Sequence, residues 1–282
     1  MNNFNSLTQC IFDGLLNAFY NHKKIGEDGK LKNKKNRFGD MAMRADVEAE
    51  EIILNSLVNY SKINKFNLIY KGEEMGEGTI DNGNKDLFAV FDGLDGSSNY
   101  LNKNDFGYGT MVAVSEVTDP KYNDFIVAGL AMMEEEKIVI AVKNEGVYVY
   151  DVATKNNEKL DNFPSEEKFD DSKVLANKYF PEEISAYGNN PWIMTGSTAW
   201  SIYSICAGGK FNGLIEVTRK GNLEQPILYL MITSLGGVMV DISGNSIGNY
   251  NFNTWGQSEK LFVITSKNNS IVSEILKNVT KN

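Results

Sequence analysis

The sequence contains a single histidine, His22, and only two cysteines, Cys10 and Cys206. One histidine excludes a histidine-rich zinc site, and it gives no support to a Ser-His-Asp triad because His22 lies in a polar stretch that predicts a solvated surface position. The two cysteines lack metal-ligand spacing and lie in helix-like sequence. They are therefore predicted to be reduced core residues, which favours a cytoplasmic location.

Long apolar runs and an excess of positive charge are also absent. No run approaches membrane-spanning length, and the first twenty residues mix polar and apolar positions, unlike a signal peptide. The net charge of −9 argues against partners such as nucleic acid or an anionic membrane. A chain of 282 residues, 42% of them hydrophobic, is expected to form one compact unit or two closely packed halves.

An apolar run that leads into two carboxylates is the most informative motif. Residues 87–91 predict a buried strand that ends at Asp92, and the glycines that follow predict a tight turn carrying Asp95. These carboxylates and the Leu94 carbonyl are hard oxygen donors, which suit Mg²⁺. The next three residues offer backbone N–H groups with little side-chain bulk, which suits a phosphate. They are Gly96, Ser97 and Ser98. Ordinary Asp-Gly turn chemistry is the alternative interpretation.

Further acidic residues lie near the ends of predicted elements. Asp46 precedes an apolar periodic segment and is predicted to be the N-cap of a second helix. Glu73 and Glu74 follow a predicted strand at residues 66–70 and lie among glycines. A solvated loop and a ligand-bearing loop are both consistent with this composition.

The order of predicted elements divides the chain into two halves. Residues 1–152 begin with a helix over 7–20 and a lysine-rich loop over 23–37. They continue with short strands that indicate an antiparallel sheet, predicted at 108–115, 125–132, 137–142 and 146–151. After a polar boundary at 153–171, residues 172–282 alternate between strands and helices, including a short helix at 181–186, which is typical of an α/β arrangement.

Residues 91–99, Phe-Asp-Gly-Leu-Asp-Gly-Ser-Ser-Asn, resemble the Asp-Pro-(Leu/Ile)-Asp-Gly-(Ser/Thr) signature of the fructose-1,6-bisphosphatase and inositol monophosphatase superfamily of Mg²⁺-dependent, Li⁺-sensitive phosphatases. Gly93 stands where the family usually has proline, a change that removes no ligand. The resemblance covers nearly the whole chain in five separated blocks. It implies an α/β fold of the α+β type, with layered αβαβα architecture, and a homodimer or tetramer.

The resemblance also implies roles for individual residues. The implied ligands of two or three Mg²⁺ ions, for which Mn²⁺ is a possible substitute, are Glu73, Glu74, Asp92, Leu94 through its carbonyl, Asp95 and Glu224. The implied catalytic residues are Asp46, Glu73 and Ser97. The implied substrate contacts are Lys35, Gly96, Ser97, Ser98, Ser197, Glu216, Arg219 and Lys220.

Several of these assignments have structural alternatives. Lys35 is also consistent with a solvated loop, and Ser197 with an ordinary helix N-cap. Arg219 and Lys220 are suited to a second phosphate and equally to a solvated turn. Glu224 stands where the inositol branch carries the Asp of a Trp-Asp pair and fructose bisphosphatases carry a Glu. Together with the Ser-Ser-Asn ending, it favours the sugar bisphosphatase branch.

These observations predict a Mg²⁺-dependent phosphomonoesterase that hydrolyses a small sugar or polyol phosphate by attack of a metal-activated water. Fructose 1,6-bisphosphate and inositol monophosphate are the leading substrates. The alternatives are a 3′-phosphoadenosine 5′-phosphate or NADP phosphatase of the same superfamily and, from another class, a non-catalytic sugar-phosphate-binding protein.

Overall fold

Two long helices form the N-terminal layer. The computed structural model describes residues 4–36, 38–39, 41–103, 105–176 and 192–279. Helix α1 (Ser6–Ile25) packs against α2 (Arg44–Asn64), and between them lie a 3-10 turn (Gly26–Lys30) and a hairpin of β1 (Lys32–Lys35) and β2 (Met41–Met43).

The second layer is an eight-stranded sheet in the order β10-β9-β8-β7-β6-β5-β3-β4. Its strands are β3 (Phe66–Gly72), β4 (Gly76–Ile80), β5 (Lys85–Asp95), β6 (Gly109–Ser115), β7 (Phe125–Met132), β8 (Lys137–Val142), β9 (Gly146–Asp151) and β10 (Asn157–Lys159). Neighbouring strands are antiparallel except β3 and β5, which are parallel. The predicted antiparallel sheet is therefore confirmed with one parallel pair, and a short helix, α3 (Ser97–Asn102), follows β5.

Among the described residues, the C-terminal half contains a five-stranded mixed sheet and three helices. The strands are β11 (Val174–Ala176), β12 (Ile193–Met194), β13 (Gly213–Val217), β14 (Val238–Asp241) and β15 (Phe262–Ser266), in the order β12-β11-β13-β15-β14. The helices are α4 (Thr198–Cys206), α5 (Gln225–Thr233) and α6 (Asn269–Val279). The short helix predicted at residues 181–186 lies outside the described residues.

Three apolar clusters pack the layers of helices and sheets against one another. The first lies between the α1 and α2 pair and one face of the large sheet, where Leu15, Ile53 and Val112 are fully buried. The second joins the other face to α4, α5 and the small sheet, and the third covers the far side of the small sheet with α6. The layers thus follow an αβαβα order, as the resemblance implies, and the central core is shared by both halves of the chain.

The segment after Tyr20 differs from the sequence prediction. Most of the predicted lysine-rich loop is structured, because α1 continues to Ile25 and is followed by the 3-10 turn and β1. His22 is consequently 8% exposed rather than solvated, since the added turn places it on the same helix face as Phe19. Its ring packs edge-on against Tyr100, with centroids 5.0 Å apart, and its Nε2 lies 3.3 Å from the Tyr108 hydroxyl.

Two element boundaries also differ. Helix α2 begins at Arg44, so Asp46 lies within its first turn and is not the N-cap. Strand β5 extends through Asp95, with a shift in register between Asp92 and Asp95, so both carboxylates lie on an irregular strand end rather than on a free turn. The pairing with β6 supplies the backbone partners that continue the strand.

Both cysteines are free thiols, as predicted, although each is half-buried rather than fully buried in the core. No helix in the described part of the chain has the length and apolar composition needed to cross a membrane.

Candidate active site

A cavity of about 460 Å³ opens where β5 ends. Its walls come from the β1–β2 hairpin, the start of α2, the β3–β4 turn, the β5–α3 junction and the segment before α5. The lining residues are Asn36, Met41, Asp46, Glu73, Glu74, Asp92, Leu94, Asp95, Gly96, Ser97, Ser98, Arg219 and Glu224. The structure therefore brings together all six predicted metal ligands, together with Asp46, Ser97 and Arg219.

Three carboxylates converge in this cavity. One oxygen from each of Glu73, Asp92 and Glu224 lies within 4.8 Å of the other two. Asp92 and Glu224 are buried, at 3% and 4% exposure. Carboxylate oxygens at this spacing fit a hard divalent cation such as Mg²⁺.

The cluster has an unfavourable electrostatic environment of its own. Burial raises the pKa of Asp92 well above its usual value, and repulsion from Glu73 and Asp46 raises it further. Burial likewise raises the pKa of Glu224 to about 7, although the nearby Arg219 opposes this change. A bound cation would offset this concentration of negative charge.

Arg219 supplies positive charge at the edge of the cluster. Its Nη2 lies 3.7 Å from Glu224 Oε1, and its side chain is 17% exposed. Attraction to Glu224 and Asp95 raises the pKa of the guanidinium in spite of its burial. The structure thus favours a largely buried, ion-paired position for Arg219 over a solvated turn. The side chain of Lys220 lies outside the described residues.

Asp95 connects the end of β5 to α4. Its Oδ2 accepts hydrogen bonds from the Ser197 hydroxyl and the Ala199 backbone N–H, both at 2.7 Å. Ser197 is the N-cap of α4, and its Oγ accepts from the Trp200 N–H at 3.0 Å. Burial raises the pKa of Asp95, while these two donors lower it. Asp95 therefore fixes the start of α4 as well as lining the cavity.

The end of β5 is held by short local contacts. Leu94 N–H donates to Asp92 Oδ1 at 2.9 Å, and the Thr110 hydroxyl donates to the Gly93 carbonyl at 2.7 Å. Gly96 adopts a left-handed conformation with φ of 87°, which allows the chain to leave the strand and enter α3 directly. This exit places Ser97 and Ser98 on the cavity wall.

Three predicted substrate contacts are not among the described lining residues. Lys35 is exposed on β1, and Ser197 is engaged in capping α4. Glu216 is buried behind the cavity wall, where it accepts from the Thr198 hydroxyl at 2.6 Å and from Gln225 Nε2 at 2.9 Å. Burial raises the pKa of Glu216, and these two bonds oppose the change. Their predicted roles remain predictions.

Two residues that support the site were missed by sequence reasoning. Asn36 Nδ2 donates to Glu74 Oε1 at 2.9 Å and to Glu73 Oε1 at 3.3 Å. Glu50, on α2, accepts hydrogen bonds from the backbone of the Glu73–Glu74 segment. The sequence carries one signal for Glu50, which is its spacing of four residues from Asp46, and this spacing places both on one helix face. We find no sequence signal for Asn36.

Comparison with solved structures shows the same fold at low sequence identity. An extragenic suppressor protein SuhB from Bartonella henselae is 17% identical, with 99% of this chain and 100% of that chain covered and a TM-score of 0.72. An IMPase/NADP phosphatase complexed with NADP and Ca²⁺ is 15% identical, with 98% and 95% covered and a TM-score of 0.68. A protein described as an inositol monophosphatase-fructose 1,6-bisphosphatase is 17% identical, with 96% and 98% covered and a TM-score of 0.64.

No curated protein matches the sequence significantly. The family model for the inositol monophosphatase family, in contrast, matches residues 12–277, which is nearly the whole chain and includes every residue that lines the cavity. The chain therefore belongs to the inositol monophosphatase family, whose members are phosphatases.

Proposed function

We propose that this protein is a Mg²⁺-dependent phosphomonoesterase that acts on a small sugar or polyol phosphate. The observation that carries the proposal is the convergence of Glu73, Asp92 and Glu224 within 4.8 Å in a cavity that also contains Arg219. A purely structural role does not account for three carboxylates held this close, since their mutual repulsion is unfavourable.

The proposed ligands are these three carboxylates, with Asp95, Glu74 and the Leu94 carbonyl completing the positions for two or three ions. Bound Mg²⁺ would lower the pKa of a water and offset negative charge on the phosphate oxygens, and Mn²⁺ is the expected substitute. The protein's own contribution is to hold these oxygens in a fixed, largely buried arrangement, which limits the reorganisation needed during the reaction.

Asp46 and Ser97 are the proposed pair that orients the attacking water. Both line the cavity, one from the first turn of α2 and the other from the start of α3. A carboxylate can accept a proton from water, and a hydroxyl can both donate and accept, so the pair can fix a water between them. The N–H groups of Gly96, Ser97 and Ser98 are the proposed partners of the phosphate oxygens.

Arg219 is the proposed contact for a second anionic group of the substrate. The guanidinium is the cation that the structure describes in the cavity wall, and its planar donors suit a phosphate. This contact supports fructose 1,6-bisphosphate as a substrate, because that compound has a second phosphate. Inositol monophosphate has no second phosphate and would not need the contact. Glu216 and Ser197 would contact substrate hydroxyls only after their present hydrogen bonds are exchanged.

The remaining expectations concern the setting of the enzyme. We expect a cytoplasmic homodimer or tetramer that binds neither nucleic acid nor membranes. The net charge of −9 is consistent with a protein that binds neither nucleic acid nor anionic membranes. A phosphate would reach such an acidic protein most readily in the presence of divalent cations.

The test is phosphate release from four compounds, with Mg²⁺ and with EDTA. The compounds are fructose 1,6-bisphosphate, inositol 1-phosphate, 3′-phosphoadenosine 5′-phosphate and NADP. Mg²⁺-dependent release from the first two is expected, and a preference for either nucleotide would instead favour the nucleotide phosphatase alternative. Binding of sugar phosphates without release from any compound would overturn the enzymatic proposal in favour of a binding protein.

A further inference from the structure

We infer that Glu50 is a positioning residue that holds the β3–β4 turn in the conformation that directs Glu73 toward Asp92 and Glu224. The inference rests on the proposed metal site, and it assigns a role to a side chain that does not line the cavity. Glu50 would act through the backbone of the turn rather than as a ligand.

The carboxylate of Glu50 accepts hydrogen bonds from three consecutive backbone N–H groups. Its Oε1 accepts from Glu73 at 2.8 Å and from Glu74 at 3.1 Å. Its Oε2 accepts from Glu74 at 3.1 Å and from Met75 at 2.8 Å. Since three successive N–H groups converge on one carboxylate, the backbone of the turn has little freedom to rotate.

Glu50 is completely buried, at 0% exposure. A buried carboxylate is unfavourable unless it is well supplied with hydrogen-bond donors, and the turn provides those donors. The dependence is mutual, because removal of the carboxylate would leave the turn's N–H groups without their acceptor.

Two glycines open the space that Glu50 occupies. A Cβ at Gly72 would lie 2.5 Å from Glu50 Oε2 and 2.4 Å from the Phe91 ring. A Cβ at Gly93 would lie 2.9 Å from Glu50 Cγ. Gly72 and Gly93 lie near the ends of the parallel strands β3 and β5, beside two of the proposed ligands, Glu73 and Asp92. The glycines and Glu50 therefore form one arrangement that brings α2 against both ligand-bearing segments.

The test is Mn²⁺ binding by isothermal titration calorimetry with the full-length wild type and three variants. Glu50→Gln replaces one acceptor oxygen with an NH₂ group that faces an N–H donor. Glu50→Asp keeps the carboxyl group but is one methylene too short to reach all three donors. Glu51→Gln is the matched control, since it makes the same substitution at an exposed neighbour on the same helix.

The expected result is a dissociation constant raised about 10- to 100-fold in Glu50→Gln, a smaller rise in Glu50→Asp and a value close to wild type in Glu51→Gln. The number of sites per chain should not change. A role limited to stability would have the opposite signature, with fewer binding-competent molecules and an unchanged dissociation constant.

Other results would overturn the inference in distinguishable ways. Unchanged binding in Glu50→Gln would refute the positioning role and leave the metal site intact. Wild-type-like binding in Glu50→Asp with weakened binding in Glu50→Gln would show that a carboxyl group suffices without the full set of hydrogen bonds, which would refute the positioning role. Absence of Mn²⁺ binding by the wild type would refute the proposed metal site itself, and the inference with it.

Gly72→Ala provides an independent route to the same outcome without removing a carboxylate. Because the new Cβ would displace Glu50 Oε2 as well as the Phe91 ring beside it, the dissociation constant for Mn²⁺ should also rise in this variant. Circular dichroism at the temperature of the titration establishes that each variant is folded. A folded Gly72→Ala protein with wild-type affinity would contradict the proposed arrangement.

Discussion

Gly93 shows how a single residue sets the spacing inside the cavity. A Cβ at this position would lie 2.2 Å from the Asp46 carbonyl oxygen and 2.7 Å from Asp46 Oδ1. The resembled family usually has proline here, and proline carries a Cβ. Gly93 therefore lets the start of α2 approach β5 more closely than a residue with a side chain would allow. The sequence showed the departure from proline, but its effect on packing depends on contacts with a distant segment.

Gly93→Ala is therefore expected to displace the first turn of α2 and to move Asp46 within the site. We expect a loss of stability of about 1–3 kcal/mol, as is typical of overpacking, together with reduced phosphatase activity. Urea denaturation and phosphate release measure the two effects. Wild-type stability and activity in this variant would contradict the close approach of α2.

His22 provides a residue-scale prediction about pH. Burial lowers its pKa to about 4, with a smaller contribution from Lys23. The unfolded chain binds a proton near pH 6.5 whereas the folded protein does not, so stability should fall as the pH decreases from about 6.5 toward 4. At pH 5 this contribution amounts to about 2 kcal/mol. In urea denaturation, His22→Phe should lose correspondingly less stability than the wild type between pH 7 and pH 5. Equal losses in the two proteins would refute the buried neutral imidazole.

At the scale of elements, the sequence predicted strands better than the ends of helices. The bounds predicted for β7, β8 and β9 agree with the structure because their apolar runs end in clear turn residues. The start of α2 was predicted wrongly because an acidic residue in a first turn has the same sequence signal as an acidic N-cap. The β1–β2 hairpin was missed because both strands are short and β1 consists mostly of lysine.

The β1–β2 hairpin supports a comparison between neighbouring residues. Asn36→Ala should lower activity about tenfold or more, because it removes the hydrogen bonds to Glu73 and Glu74. Lys35→Ala tests the lysine assigned from the family resemblance, and its exposed position predicts a much smaller change. Steady-state kinetics at several Mg²⁺ concentrations measures both effects, and a larger loss in Lys35→Ala would reverse the assignment.

At the scale of the whole molecule, the site depends on both halves of the chain. Glu73 and Asp92 come from the large sheet, while Glu224 and Arg219 come from the segment before α5. The shared central core, which includes Val90 and Ile227, holds these segments together. The family resemblance predicted which carboxylates would converge. Asn36 and Glu50, however, contact the proposed ligands Glu73 and Glu74 through tertiary contacts that local sequence patterns do not encode.

The crowded carboxylates predict opposite effects of one substitution on stability and metal response. In EDTA, Asp92→Asn should stabilise the protein by about 0.5–2 kcal/mol, since it removes one of several repelling buried charges. Mg²⁺ at about 100 times its dissociation constant should stabilise the wild type by about 2.7 kcal/mol and the variant much less. Thermal unfolding with and without Mg²⁺ measures both effects. A variant less stable than the wild type in EDTA would contradict the proposed repulsion.

The most direct test of the central claim is the rate of phosphate release as a function of Mg²⁺ concentration, compared between the wild type and Asp92→Asn. The substrate is whichever of fructose 1,6-bisphosphate and inositol 1-phosphate the wild type hydrolyses faster. We predict release by the wild type that EDTA abolishes and added Mg²⁺ restores, and almost none by the folded variant at any Mg²⁺ concentration. Near-normal release by Asp92→Asn, or release by the wild type that persists in EDTA, would contradict a metal-dependent phosphatase centred on this carboxylate cluster.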